Sequence, residues 1–250
     1  MSQAREFVTF VAPDPASAVA EVGAGSGRIT FDGGLAERIG QQGQLLVTDP
    51  SGPQLQIARQ RAQDLGMGWV RFLCAPAEDL PLASGTADLV LGAVFLHFTD
   101  PTRALREMAR VVRPGGRVAI SAPSPFPWTP FWQDVLRPVE EEMQRLDKRM
   151  RHWAVPEDEI RDAVVAAGLT VERSETVGPE NIEFPSPEIT QATVRQIHMV
   201  GLMMRGIAGD RVQAAARAVE NRIAALWTSY SSQDRRWAGS GLNLVARKPA

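Results

Sequence analysis

The segment Ala18-Val19-Ala20-Glu21-Val22-Gly23-Ala24-Gly25-Ser26-Gly27-Arg28 decides how this chain is read. Its first five residues are apolar apart from Glu21, and they run directly into three glycines within five positions. That is a strand followed by a turn signal. Glycines at this spacing let the backbone leave the strand sharply and approach a ligand with no Cβ atoms in the way. A dinucleotide fingerprint would need its last glycine where Arg28 stands, so the spacing argues against a nicotinamide cofactor.

From this segment outward, short apolar runs alternate with amphipathic stretches, the pattern of a parallel sheet with helices on both faces. Strands are predicted over 18–22, 44–48, 69–74, 87–93, 116–121 and 170–177, with a final one over 241–246. Helices are predicted over 54–65, 101–112 and 157–167, two with proline at or near the first turn and the third followed by glycine. The first crossover, 28–39, carries Gly33 and Gly34 in its middle. Each costs about 1 kcal/mol relative to alanine in a helix, which predicts a late helix start or a kink. Two segments break the alternation: 123–150, a loop rich in proline and aromatics followed by a charged helix, and 186–236, two helical patterns. Because the chain returns to the sheet after the second, both read as additions to a single domain over 1–250, the second as a helical cap.

Bulk composition narrows the function. A net charge of −2 gives no global attraction to nucleic acid or anionic lipid, and the local group Lys148, Arg149, Arg151 and His152 reads as a solvated helix end. The longest nearly apolar run, 89–98, is too short to cross a bilayer, and Glu6 interrupts what would be a signal-peptide core. A single cysteine, Cys74, in an apolar strand pattern is expected to be a buried inert thiol in a reducing, cytoplasmic setting. Three dispersed histidines and no carboxylate cluster lead us to expect no metal site.

The glycine segment gains specificity from the residues downstream of it. Asp49 ends the second predicted strand 28 residues after Glu21, where a carboxylate can accept from both hydroxyls of a ribose. The plainer reading of Asp49 is a turn residue before Pro50 and Ser51. Then come Phe72-Leu-Cys-Ala-Pro-Ala-Glu78-Asp79-Leu80-Pro81, Ala87-Asp88-Leu89-Val90-Leu91, Leu96-His97-Phe98, and Ala104-Leu-Arg-Glu107-Met-Ala-Arg110-Val-Val-Arg-Pro-Gly-Gly-Arg117. Taken in this order, over about 18–121, the motifs resemble the class I S-adenosylmethionine-dependent methyltransferases, in particular the branch containing the ubiquinone and menaquinone C-methyltransferases.

The resemblance implies a Rossmann-like α/β fold: a seven-stranded, mostly parallel sheet of order 3-2-1-4-5-7-6 with the last strand antiparallel. It also implies S-adenosylmethionine as cofactor, S-adenosylhomocysteine as product and methyl transfer as activity. Carried over residue by residue, it places Gly23, Ala24, Gly25 and Gly27 around the methionine part and Glu21 at the amino group. Asp49 and Pro50 would flank ribose and adenine, Ala77 and Glu78 would face the adenine edge, and Gly92 and Ala93 would lie under the sulfonium. The chain departs from the family at Ala75-Pro76, where Gly-Asp is usual and the aspartate commonly accepts from the adenine amino group.

Methyl transfer needs alignment and exclusion of water more than a dedicated catalytic group. His97, where the branch often has histidine, is therefore weighed as a general base against a structural or cofactor-shell role, while His152 and His198 read as packing or surface residues. The acceptor pocket is expected between the strand ends and the two additions, with Phe126, Trp128, Phe131, Trp132, Met199, Met203, Met204 and Ile207 as its apolar candidates. Ordinary core is the preferred reading of that stripe, because these helices must pack on something. A small apolar or aromatic acceptor is expected if part of it lines the site. The Asn/Asp-Pro-Pro-aromatic motif of base-amine methylation is absent, Gly92-Ala93-Val94-Phe95 standing in its place, so no nucleic-acid partner is expected. With only about twenty residues before the glycine motif, a lid borrowed from a second subunit, and hence a homodimer, is a further expectation. A cyclase or eliminase on the same scaffold, or a binding protein with a decayed site, are the alternatives.

Overall fold

The computed structural model describes residues 3–125, 127–148, 150 and 152–250, so Phe126, Arg149 and Arg151 of the sequence reading lie outside the described residues. In chain order the elements begin with α1 (Gln3–Val11), β1 (Ala18–Val22), a π-helical turn (Arg28–Asp32), α2 (Leu35–Ile39), β2 (Gln44–Asp49), α3 (Gly52–Asp64), β3 (Arg71–Cys74) and β4 (Ala87–Ala93). A 3₁₀ turn (Leu96–Phe98) then precedes α4 (Pro101–Val111), β5 (Val112–Pro123), α5 (Pro130–Arg145), α6 (Glu157–Ala166) and β6 (Thr170–Ile182). The chain ends with α7 (Pro187–Gln196), α8 (Met199–Met203), α9 (Gly209–Leu226), a second 3₁₀ turn (Trp227–Ser229), α10 (Ser232–Arg235) and β7 (Trp237–Arg247).

The strands form one seven-stranded sheet ordered β3-β2-β1-β4-β5-β7-β6, the order that the family resemblance implies. β1 pairs in parallel with β2 and β4, β2 with β3, and β4 with β5, while β7 runs antiparallel to β5. Parallel strands buried on both faces must be apolar nearly throughout, and β1 and β4 are. Because neighbouring strands run the same way, the tips of β1, β2 and β4 come together at one edge of the sheet. There the chain order reverses between β1 and β4, which is where open α/β sheets bind ligands. The helices start where capping side chains accept the free amides of the first turn: Ser51 from Gln54, Asp100 from Arg103, and Ser186 from Ile189.

Two compact units are present. The first comprises Met1–Pro123, Pro156–Val177 and Gly241–Ala250, and contains the sheet tips described above. The second comprises Ser124–Val155 and Gly178–Ser240, reaching past the first predicted addition at its C-terminal end and past the second at both ends. It has its own core of Phe131, Trp132, Val135, Val139, Met199, Met203, Met204, Val219 and Ile223.

In the first crossover the expected irregularity takes the form of a π-helical turn, closed by the Gly33 amide donating to the Arg28 carbonyl at 2.9 Å. A left-handed Gly34 then starts the short α2. Gly33 is where α1 touches this turn: a Cβ there would lie 3.0 Å from the Ala4 carbonyl and 2.6 Å from that of Ile29. The sequence pattern does not predict α1. Its far end is held by Arg117 and Arg173, which both donate to the Val11 carbonyl. Cys74 corrects an expectation: it is exposed, because β3 is the edge strand and Cys74 is its last residue.

Candidate functional site at the tips of the first, second and fourth strands

Glu21 is almost wholly removed from water, 1% exposed on β1 within the sheet. Its Oε2 accepts from the Thr30 hydroxyl at 2.5 Å, while its Oε1 is buried with no hydrogen-bond partner among the described residues. Burial pushes the carboxyl up to about 7; the hydrogen bonds from Thr30 pull it back down and the nearby Asp49 charge adds to the rise. A buried carboxyl with one empty acceptor oxygen is an incomplete hydrogen-bonding site, since buried polar atoms are nearly always paired.

Asp49 faces the glycine turn. One carboxylate oxygen accepts from the Gly25 amide at 2.8 Å and the other from the Ser51 amide at 2.8 Å. Each oxygen keeps a lone pair, so the carboxylate can still accept from a diol. The turn itself is braced from below, by the Ala24 amide on the Thr48 carbonyl and by Arg61 on the Ser26 carbonyl. Arg61 also lies over the Phe31 ring, 5.0 Å from its centroid.

The three glycines do different work. Gly23, Gly25 and Gly27 all have positive φ, at 67°, 55° and 84°. A Cβ on Gly23 would meet Phe95 Cβ at 2.4 Å and one on Gly27 the Phe31 ring at 2.5 Å, so these two glycines make room for the protein's own side chains. A Cβ on Gly25 would meet nothing closer than Gln54 Oε1 at 4.0 Å. Open space therefore lies over Gly25 alone. Gly92 belongs with the packing glycines, its Cβ position lying 2.5 Å from the Val22 carbonyl and 2.6 Å from Phe95.

Beyond the tip of β2, the Pro50 carbonyl accepts from the Cys74 thiol at 3.3 Å, Ala77 is buried, and Glu78 accepts from the Asp100 amide at 2.9 Å with one oxygen. The family's usual aspartate has no counterpart at Pro76, which is exposed. The motif around Glu107 and Arg110 is structural. Arg110 donates to the Leu80 and Leu82 carbonyls and to Glu107, which in turn accepts from the Leu80 amide; these bonds hold Glu107 below the usual carboxylate range. Asp88 is likewise held low, by the Ala18 amide and by Arg113.

The remaining candidates differ in burial. His97 is 2% exposed and packs on Phe98 with ring centroids 4.1 Å apart. Phe131, Trp132, Met199 and Met203 are wholly buried, as is Met204, and they pack together in the core of the second unit. Trp128 is partly exposed and stacks on His152, 4.8 Å between centroids. His198 is exposed at the start of α8. The sequence reading missed Thr30, whose role needs a π-helical turn, and Val94, a β-branched residue held at φ 57° and half exposed just beyond β4. Such a backbone costs about 1–2 kcal/mol and occurs at functional sites more than elsewhere. Among the described residues no group of histidine, cysteine, aspartate or glutamate side chains is placed to hold a metal, and no helix is long and apolar enough to cross a membrane.

The sheet order, the glycine turn and the carboxylate on the second strand together define the class I methyltransferase fold, and residues 20–120 match the family model described as a methyltransferase domain. Part of the chain is similar to the ubiquinone/menaquinone biosynthesis C-methyltransferases named UbiE: the protein of Idiomarina loihiensis is 36% identical over 104 residues, 41% of each chain. The chain thus spans about two fifths of the length of the curated relatives it matches. Among solved structures, a Bacillus halodurans protein described as a methyltransferase aligns over all of both chains with a TM-score of 0.66 and 16% identity. The cyclase SpnF aligns over 99% of this chain and 80% of its own with a TM-score of 0.62 and 21% identity. Likeness at that level is likeness of fold.

Proposed function

We propose that this chain binds S-adenosylmethionine across the tips of β1 and β2 and directs transfer of its methyl group to a small apolar or aromatic acceptor. The observation that carries the reading is the Asp49 carboxylate turned onto the Gly25 amide, beneath the only open space over the glycine turn. The residues present fit the cofactor. Glu21 offers a buried, unpartnered oxygen for its ammonium, Gly25 offers backbone approach, and Asp49 offers lone pairs to the ribose hydroxyls. Pro50 and Ala77 would flank the adenine, and Asp79 or the second oxygen of Glu78 would take the role that Pro76 cannot.

When bound, the cofactor supplies an electrophilic methyl on a good leaving group. The chain's part is then to orient the acceptor and keep water out. Val94 and Phe98, half exposed in the turn after β4, give that edge an apolar surface and support an apolar acceptor. A base role for His97 would need the acceptor to reach a side chain that is nearly closed off, so its shell role is favoured. We place the protein in the cytoplasm, with a small-molecule acceptor and, as its macromolecular partner, a second copy of itself. A gel-filtration mass of one chain would remove that copy.

Calorimetric titration with S-adenosylhomocysteine tests the binding half: saturable heat supports it, and none would leave a shared fold only. The fold shared with SpnF keeps a non-methylating reaction as the second reading. Methyl-labelled donor separates the two, since a turned-over acceptor that carries no label excludes methyl transfer.

A further inference from the structure

Thr30 and Glu21 form a unit that the methyl-transfer reading does not itself require. The π-helical turn sets the Thr30 hydroxyl on Glu21 Oε2, both groups are buried, and α1 packs tightly on the turn at Gly33, where a Cβ would lie 3.0 Å from the Ala4 carbonyl. Thr30 thereby occupies one carboxyl oxygen and leaves the other, Oε1, with no hydrogen-bond partner among the described residues. Resting on the cofactor reading above, we infer that cofactor binding is coupled to loss of a proton: Glu21 is protonated in the ligand-free protein and gives up its proton to solvent as the cofactor's ammonium becomes its partner.

Three features support this. Among the described residues the buried site has no cation to pair an ionised Glu21, and the charge that acts on it, Asp49 at the tip of the adjacent β2, is of the same sign. Burial of an unpaired carboxylate is costly, so the neutral form is held until a cation arrives. The carboxyl's position near 7 puts the exchange in an accessible range. The balance is simple: the Glu21 O–H bond breaks heterolytically, the proton goes to buffer, and the carboxylate accepts a hydrogen bond from the incoming ammonium. Thr30 acts through Glu21 and is a positioning residue.

The test is calorimetry of S-adenosylhomocysteine binding in two buffers of different ionisation enthalpy. Near pH 6 the protein should release close to one proton per ligand, and near pH 8 close to none, with affinity about tenfold weaker at the lower pH. E21Q should bind with no buffer-dependent heat and a flat pH profile. T30V, which loses the bond that lowers the carboxyl, should carry the proton release to higher pH, and T30S should restore the original profile. 5′-Methylthioadenosine, which has no amino-acid tail, should bind without releasing protons. S-adenosylhomocysteine binding without proton release, or equal release with methylthioadenosine, would overturn the inference while leaving the cofactor reading intact. Absence of binding would overturn both.

Discussion

Replacing Gly25 and Gly23 by alanine, one at a time, separates a glycine kept for a ligand from one kept for packing. Both sit at positive φ, so either substitution incurs about 1–2 kcal/mol of backbone strain. At Gly25 the new methyl enters open space, 4.0 Å from Gln54 Oε1, and nothing more is lost. At Gly23 it would overlap Phe95 Cβ at 2.4 Å, adding about 1–3 kcal/mol of overpacking. In urea unfolding of the ligand-free protein, G25A should therefore lie within about 2 kcal/mol of wild type and G23A about 2–5 kcal/mol below it. Affinity for S-adenosylhomocysteine should respond most to the milder of the two. G25A puts a methyl where the ligand must approach and should weaken binding by at least about tenfold, 1.4 kcal/mol. If G25A binds as tightly as wild type, or destabilises the ligand-free protein as much as G23A, the space over Gly25 is not a ligand's.

Stability should also depend on pH through Glu21. Its folded pKa is raised from 4.5 to about 7, so the fold holds an extra proton between those values, and its contribution is fully present below the lower and lost as pH rises through the upper. The loss is on the order of 3 kcal/mol, from 1.36 kcal/mol per unit. E21Q, which stays neutral, should match wild type in acid and exceed it above neutrality; a difference between the two unfolding free energies that does not change with pH would refute this. Trp132→Ala and Met203→Ala should each cost about 2–5 kcal/mol in chemical denaturation, as core residues do, and variants of unchanged stability would return them to the acceptor surface. Cys74, the chain's single thiol, should react with Ellman's reagent in the native protein at close to one equivalent; reaction only after denaturation would restore the buried placement.

The sheet was legible in the sequence because buried parallel strands must be continuous apolar runs, and 18–22, 44–48 and 87–93 leave little choice of boundary. The glycine turn and Asp49 were legible for a similar reason, as φ above zero and a carboxylate at a strand tip constrain residue type. Thr30 was hidden because its contact depends on one extra residue in a helical turn, which no propensity signals. Cys74 was misplaced because an apolar pattern does not say which strand lies at the edge. The aromatic and methionine stripe showed burial without saying against what, so the same residues read both as ordinary core and as candidates for an acceptor surface.

The central claim is that a nucleoside lies across the ends of the first two strands, and a crystal structure grown with saturating S-adenosylhomocysteine tests it most directly. The account predicts the ribose hydroxyls on Asp49, the amino-acid tail over Gly25 and its ammonium toward Glu21. A structure from such crystals with the nucleoside bound elsewhere, or with Asp49 still closed on the Gly25 amide and no nucleoside beside it, would contradict the account.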